Sequence, residues 1–295
     1  MVLLLRSLLF APGNVARRVE KALSLTADAV ILDLEDAVPL SEKENVRPAV
    51  AAALVLARSS AGYVRINALS TGLAIDDLAE VVIPGLDGIM LPKVEQPGDL
   101  EKVDWYISHL EKKRSIPAGT VDLIPLIENA RGVENAPAIA GAVPRVKRLC
   151  FGAVDYTADL GVNLTAEGAE IFYARARLVN ASRAAGLEPP IDTVYTEIRD
   201  AEGLVRDSRT ARTLGFQGKL VIHPGQIEPV NRIFSPSEGE IDFARKVVDA
   251  FEEAEAKGHA AITLEGGKFI DYPVVQNARR LLQLAELIAA KETQV

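Results

Sequence analysis

Residues 29–34 read AVILDL, and Glu35 and Asp36 follow at once. A short, nearly continuous run of Val, Ile and Leu is the pattern of a parallel strand covered on both faces. A strand with one wet face would instead alternate apolar and polar residues. Seven similar runs flank it: SLLFA at 7–11, YVRIN at 63–67, GIMLP at 88–92, DLIPLIE at 122–128, RLCFGA at 148–153, IDTVY at 191–195 and KLVIH at 219–223. Between them lie longer segments of helical periodicity, around residues 74–82, 100–113, 166–185 and 201–214. Asn14 stands where it would cap VARRVEKALSL, and Pro48 should mark a first turn or kink in ENVRPAVAAALVLA. Eight strand–helix repeats predict an α/β fold, a TIM (β/α)8 barrel complete by residue 234. The remainder, 235–295, reads as a C-terminal helical extension: two helices separated by the Gly-rich hairpin HAAITLEGGKFIDYP, in which Gly266 and Gly267 form the turn.

Composition narrows the function. A chain of 295 residues, 48% hydrophobic, is long and apolar enough to bury a large core. A formal net charge of -8 disfavours general binding to nucleic acid or to an anionic membrane, both of which need a surplus of Lys and Arg. Cys150 is the single thiol and lies within the apolar RLCF, so a buried structural thiol is expected rather than a nucleophile or a disulfide. The opening MVLLLRSLLF is too short to span a bilayer and lacks the order of parts of a signal peptide. It reads as a first buried strand of a cytoplasmic protein.

In a TIM barrel the chemistry sits at the C-terminal ends of the strands. The polar residues there are Asp33, Glu35 and Asp36 after the second run, Arg65 and Asn67 in the third, Lys93 after the fourth, Glu128 ending the fifth, Asp155 after the sixth and His223 ending the eighth. Glu128 and Asp155, on adjacent strands, would converge at the barrel mouth, where Mg²⁺ needs only one or two protein ligands. Both acids also suit helix N-termini, which leaves a capping role open. A zinc site is poorly supported, with two His besides His223 and one Cys. Arg65, in an otherwise apolar strand, needs an anion or a fixed carboxylate. Glu35 or Asp36 could orient it towards a substrate oxygen, or form a purely structural ion pair with it. Arg17 and Lys21 share a helix face that suits phosphates or plain solvation, and Lys43 is alike in this. Asp271, before Tyr272 and Pro273, has the position of an N-cap.

Read together, RSLLFAPGN, DAVILDLEDAV, VRINAL, GIMLPKVE, LIPLIENARGV, FGAVDYTADLG, IDTVYTEIRDAEGL, GFQGKLVIHPGQI and GGKFIDYPVVQNARRLL resemble the citrate lyase β-subunit-like group of the HpcH/HpaI aldolase family, over residues 6–282. The likeness is nearer to citramalyl-CoA and malyl-CoA lyases than to the citrate lyase subunit. The resemblance implies a carbon–carbon lyase acting on a 3-hydroxyacyl thioester of coenzyme A, with Mg²⁺, or Mn²⁺ in its place, held by Glu128 and Asp155. It implies that Arg65 contacts the thioester or its enolate. It implies that Asp271 is a catalytic acid delivered by the tail of a neighbouring subunit, so that a homotrimer or hexamer shares its active sites. Phe10, Arg17, Lys21, Lys43, Ile222 and His223 match positions that line the coenzyme A site, with Glu35 and Asp36 behind Arg65. A malyl-CoA thioesterase, a class II aldolase independent of coenzyme A, and a citrate lyase β subunit working on an acyl-carrier protein are the alternatives.

Overall fold

The computed structural model describes residues 3–56, 58–264 and 266–293. Met1 and Val2 of the opening run and Glu265 of the hairpin lie outside the described residues. The eight expected runs form strands β1 (Ser7–Pro12), β2 (Ala29–Asp33), β3 (Ala61–Arg65), β4 (Gly88–Leu91), β5 (Asp122–Ile127), β6 (Cys150–Phe151), β7 (Ile191–Asp192) and β8 (Gly218–Val221). Each pairs in parallel with the next, and β1 pairs with β8, closing an eight-stranded barrel. The helices between them are α1 (Ala16–Leu23), α2 (Lys43–Leu54), α3 (Ala74–Val81), α4 (Pro97–Lys113), α5 (Ala130–Ala140), α6 (Ala153–Leu160), α7 (Phe172–Ala184) and α8 (Ala201–Leu214), and α9 (Ile227–Phe234) follows β8. Alternation of strand, helix and parallel strand is the architecture of a TIM barrel.

A buried cluster takes at least one residue from every strand: Leu8, Ile31, Tyr63, Met90, Leu126, Cys150, Ile191 and Leu220 are among its members. Such a set can only be the barrel interior. Because side chains alternate across a strand, the residue two positions further along faces inward at the top. That parity delivers Phe10, Asp33, Arg65, Glu128, Gly152 and Ile222 to the mouth. Small residues make room for large ones beside them: a Cβ at Gly88 would fall 2.3 Å from the ring of its register partner Tyr63, which is wholly buried.

The opposite parity faces the helices, and there β7 and β8 are secured by charge. Buried Lys219 donates to Asp192 at 2.7 Å and to Asp207 at 2.5 Å, while Arg175 bonds both of the same carboxylates. Two cations and two carboxylates thus close a square between β7, β8, α7 and α8.

One local expectation fails: the N-cap of α1 is Val15, not Asn14, whose amide instead donates to Glu42. Pro48 sits inside α2, past its first turn. Strands β6 and β7 are also shorter than the runs that predicted them, because chain after Phe151 enters α6 at once and after Asp192 leaves the ladder.

The described residues fall into two compact units, one Leu5–Asn231 and the other made of Leu3, Leu4 and the residues from Arg232 on. In the second, α10 (Glu238–Glu255) packs with α11 (Tyr272–Glu292) and with the antiparallel hairpin of β9 (Ala261–Leu264) and β10 (Lys268–Asp271). Val247, Phe251, Ile270 and Val275 form its core. Gly266 and Gly267 both take positive φ, as a tight turn needs. Among the described residues no helix is long and apolar enough to cross a membrane.

Candidate active site

At the top of the barrel a cavity of about 570 Å³ lies over β4, β5 and α6, with Lys93, Glu128, Asn129, Asp155 and Asp159 among its lining residues. The volume is in the range of small-molecule sites. Several of its acids have structural duties. Asp99 accepts the backbone N–H groups of Glu95 and Gln96 as part of the capping box of α4, and Asp159 accepts from Ala130 at the start of α5. Glu128 has none of these, and Asp155 has only the favourable place of an acid in the first turn of α6. The cap of α5 is Asn129, which accepts from Gly132, and the N-cap position of α6 is Gly152. The capping alternative therefore falls away for Glu128, and Asp155, in the first turn of α6, makes no hydrogen bond or ion pair to any described residue.

Glu128 is almost wholly buried and accepts one hydrogen bond, from the Lys93 backbone N–H at 2.8 Å. Burial pushes its carboxyl up to about 8, and the charges of Asp155 and Glu35 push the same way, against Arg65 and the Lys93 N–H. Space for that carboxylate comes from Gly152, where a Cβ would lie 2.7 Å from both Cβ and Oε2 of Glu128. A buried carboxylate whose charge is made costlier by a neighbouring carboxylate, with oxygen donors only, fits a small hard divalent cation whose other ligands are water and substrate. Among the described residues no group of three or more His, Cys, Asp or Glu could hold a metal.

Arg65 lies beside this pair. Its Nε and Nη2 donate to Asp33 Oδ1 and Oδ2 at 2.7 and 2.6 Å, and Nη1 stands 3.1 Å from Glu35 Oε2. Asp33 is itself fixed by the N–H groups of Glu35 and Ala37. The guanidinium also sits over the Phe10 ring, 4.8 Å from its centroid. These bonds hold its pKa above the ordinary value despite burial, so it stays a cation. The expected partner is corrected in part: Glu35 does pair with Arg65, but Asp33 holds it in two bonds and Asp36 faces Lys93 instead, at 3.6 Å. Lys93 donates at 2.7 Å to Glu35 Oε1. The result is an alternating chain, Asp33, Arg65, Glu35, Lys93, leading back through the Lys93 N–H to Glu128.

The outer positions divide. Arg17 and Lys21 are exposed on α1, without a side-chain hydrogen bond or ion pair to a described residue. Lys43 donates to the carbonyls of Leu34 and Glu35 and to Asn67 Oδ1, so its three protons tie the tops of β2 and β3 together. Ile222 and His223 are exposed at the end of β8, where Gln226 accepts from both backbone N–H groups and His223 Nδ1 accepts from Gly225. Asp271 belongs to the second unit, where it caps α11 by accepting from Val274. Cys150 is fully buried, and burial drives its thiol pKa well up, away from nucleophile chemistry. Sequence reading places Asp33 and Lys93 among the polar candidates at the strand ends without fixing a role for either, and does not single out Gly152. Inward parity from Ile31 would have singled out Asp33.

Residues 6–224 match the family model described as HpcH/HpaI aldolase/citrate lyase. Citrate lyase subunit beta of Leuconostoc mesenteroides subsp. cremoris is 41% identical, with 95% of this chain and 93% of that protein covered. Human mitochondrial citramalyl-CoA lyase is 35% identical over 97% of this chain and 87% of its own length. The crystal structure of CitE from Mycobacterium tuberculosis in complex with magnesium, acetoacetate and coenzyme A superposes with a TM-score of 0.77 at 32% identity, over 96% of this chain and 98% of that one. The chain therefore belongs to the HpcH/HpaI aldolase/citrate lyase family and is a carbon–carbon lyase of that family.

Proposed function

We propose that the protein cleaves a 3-hydroxyacyl thioester of coenzyme A, of the citramalyl or malyl type, into acetyl-CoA and a 2-oxo acid, in the presence of Mg²⁺ or Mn²⁺. The observation that carries this reading is the meeting of two uncapped carboxylates, Glu128 and Asp155, with a buried, rigidly held guanidinium. The CitE relative bound to magnesium, acetoacetate and coenzyme A supports it. A cation at Glu128 and Asp155 would supply Lewis-acid polarisation of substrate oxygens.

The rest falls to side chains of the protein. As solvent water takes the hydroxyl proton, the bond between C2 and C3 breaks and its electron pair passes to the thioester as an enolate, releasing the 2-oxo acid. Arg65, locked by Asp33 and Glu35, stabilises the enolate oxygen without having to reorganise. Asp271 of a neighbouring copy delivers a proton to the enolate carbon and completes acetyl-CoA; in the reverse direction it is the base. That assignment makes a homotrimer or hexamer the working form. Arg17 and Lys21, exposed and without a side-chain partner among the described residues, are suited to the phosphates of coenzyme A, with Phe10, Ile222 and His223 nearer the acyl end.

A citryl group on an acyl-carrier protein is the second reading, favoured by the 41% identity to a citrate lyase β subunit. Product analysis on citramalyl-CoA, malyl-CoA and a citryl-carrier thioester separates the two. The proposal expects turnover of a coenzyme A thioester; activity confined to the carrier substrate supports the second reading, and free thiol without an oxo acid means a thioesterase.

A further inference from the structure

Among the described non-glycine residues, Lys93 is one of two with positive φ, at 55°, and it is the one in the active-site cavity. Side chains rarely adopt this region, where Cβ crowds the carbonyl that follows. Its place in the chain explains what the bend achieves. Pro92 has no N–H to give, so the first amide available beyond β4 is that of Lys93. The left-handed turn aims this N–H at Glu128 Oε1 at 2.8 Å and sends the side chain the other way, to Glu35 Oε1 at 2.7 Å. One residue thus grips a carboxylate of the cation pair with its backbone and a carboxylate of the Arg65 brace with its ammonium. A merely solvated lysine side chain would not make the second of these contacts.

We propose that Lys93 is a positioning residue: its ammonium, anchored on Glu35, holds a strained backbone whose N–H fixes Glu128 for the cation, and so sets the spacing between Glu128 and Arg65. This rests on the reading of Glu128 and Asp155 as the cation site. Calorimetric titration of the protein with MgCl₂ tests it without any substrate. Lys93→Met removes the anchor, and affinity for Mg²⁺ should fall about tenfold or more, the range seen when partners of a metal ligand are lost. Lys93→Gly should lose less, because glycine holds positive φ without an anchor and keeps the N–H in place. Lys93→Arg, which can still reach Glu35, should bind within about threefold of the parent protein. In the thioester assay kcat should follow the same order while KM stays nearly constant.

An ammonium acting only through its charge predicts the opposite sign, since removing a cation beside the site tightens Mg²⁺. Tighter or unchanged binding in Lys93→Met, or a larger loss in Lys93→Gly than in Lys93→Met, overturns the inference while leaving the cation site intact. Absence of Mg²⁺ binding by the unaltered protein overturns the cation site and the inference together.

Discussion

Asp33 and Arg65 are register partners across β2 and β3, and two parallel hydrogen bonds of 2.7 and 2.6 Å join them. The pair is the first inward-facing layer above the apolar core, and Asp33 is about 1% exposed. A bidentate carboxylate fixes a guanidinium in plane and direction, which a lysine cannot reproduce. Asp33→Asn keeps the shape but removes the charge. It should lower kcat on the order of 100-fold, as for loss of a preorganised electrostatic group, and cost about 3 kcal/mol of stability through the buried cation left underpaired. Steady-state kinetics and urea unfolding measure the two effects; an unchanged kcat would show that the pair is only structural.

Glu128 gives a pH signature. Its carboxyl in the metal-free protein is pushed up to about 8, chiefly by burial, so it keeps its proton through neutral pH and a cation must displace it. Apparent Mg²⁺ affinity should therefore rise by up to about tenfold per pH unit and level off above about 8. The sign for stability follows. The ionised form is the costly one, so its penalty is absent below 4.5, grows as pH rises towards about 8, and is relieved by Mg²⁺. Calorimetry and thermal melts across pH 5.5–9 check both, with Glu128→Gln as the variant in which the dependence vanishes.

How much of this was legible beforehand follows from physical range. The barrel was, because a parallel strand must be apolar along its whole length, and AVILDL or GIMLP has no other buried home. Arg65 and Glu128 were too, as charged residues at the ends of such runs. Asp33 as the partner of Arg65 was not: choosing it over Glu35 or Asp36 requires the β2–β3 register, a long-range fact, together with inward parity from Ile31. Lys93 was hidden for a different reason, since its role comes from a backbone angle that no side-chain pattern announces. Lys219 passed unremarked within the KLVIH run, because its partners Asp192 and Asp207 lie on other elements.

Gly152 is a steric prediction. A Cβ there would fall 2.7 Å from Glu128, so Gly152→Ala should displace the carboxylate and cut Mg²⁺ affinity at least about tenfold, with an overpacking cost of about 1–3 kcal/mol. A variant with unaltered Mg²⁺ binding would mean that Glu128 is not a ligand.

The Lys219 square lies on the outer face of the strands. Lys219→Met leaves Asp192 and Asp207 short of a cation and should cost about 3–5 kcal/mol, while kcat and KM of the folded fraction stay near the parent values. Chemical denaturation beside kinetics at low temperature reads the split.

Asp271 tests whether active sites are shared. Asp271→Asn and Glu128→Gln homo-oligomers should each be inactive, yet hybrids formed by co-expressing the two chains should regain activity, because some sites then draw an intact barrel from one copy and an intact Asp271 from another. Inactive hybrids would confine the whole site to one chain.

The most direct measurement is the stoichiometry of products from citramalyl-CoA or malyl-CoA, with and without chelator. Equal amounts of acetyl-CoA and 2-oxo acid, abolished by EDTA and restored by Mg²⁺, are the expected result. Coenzyme A thiol released without an oxo acid, or cleavage indifferent to EDTA, would contradict the account.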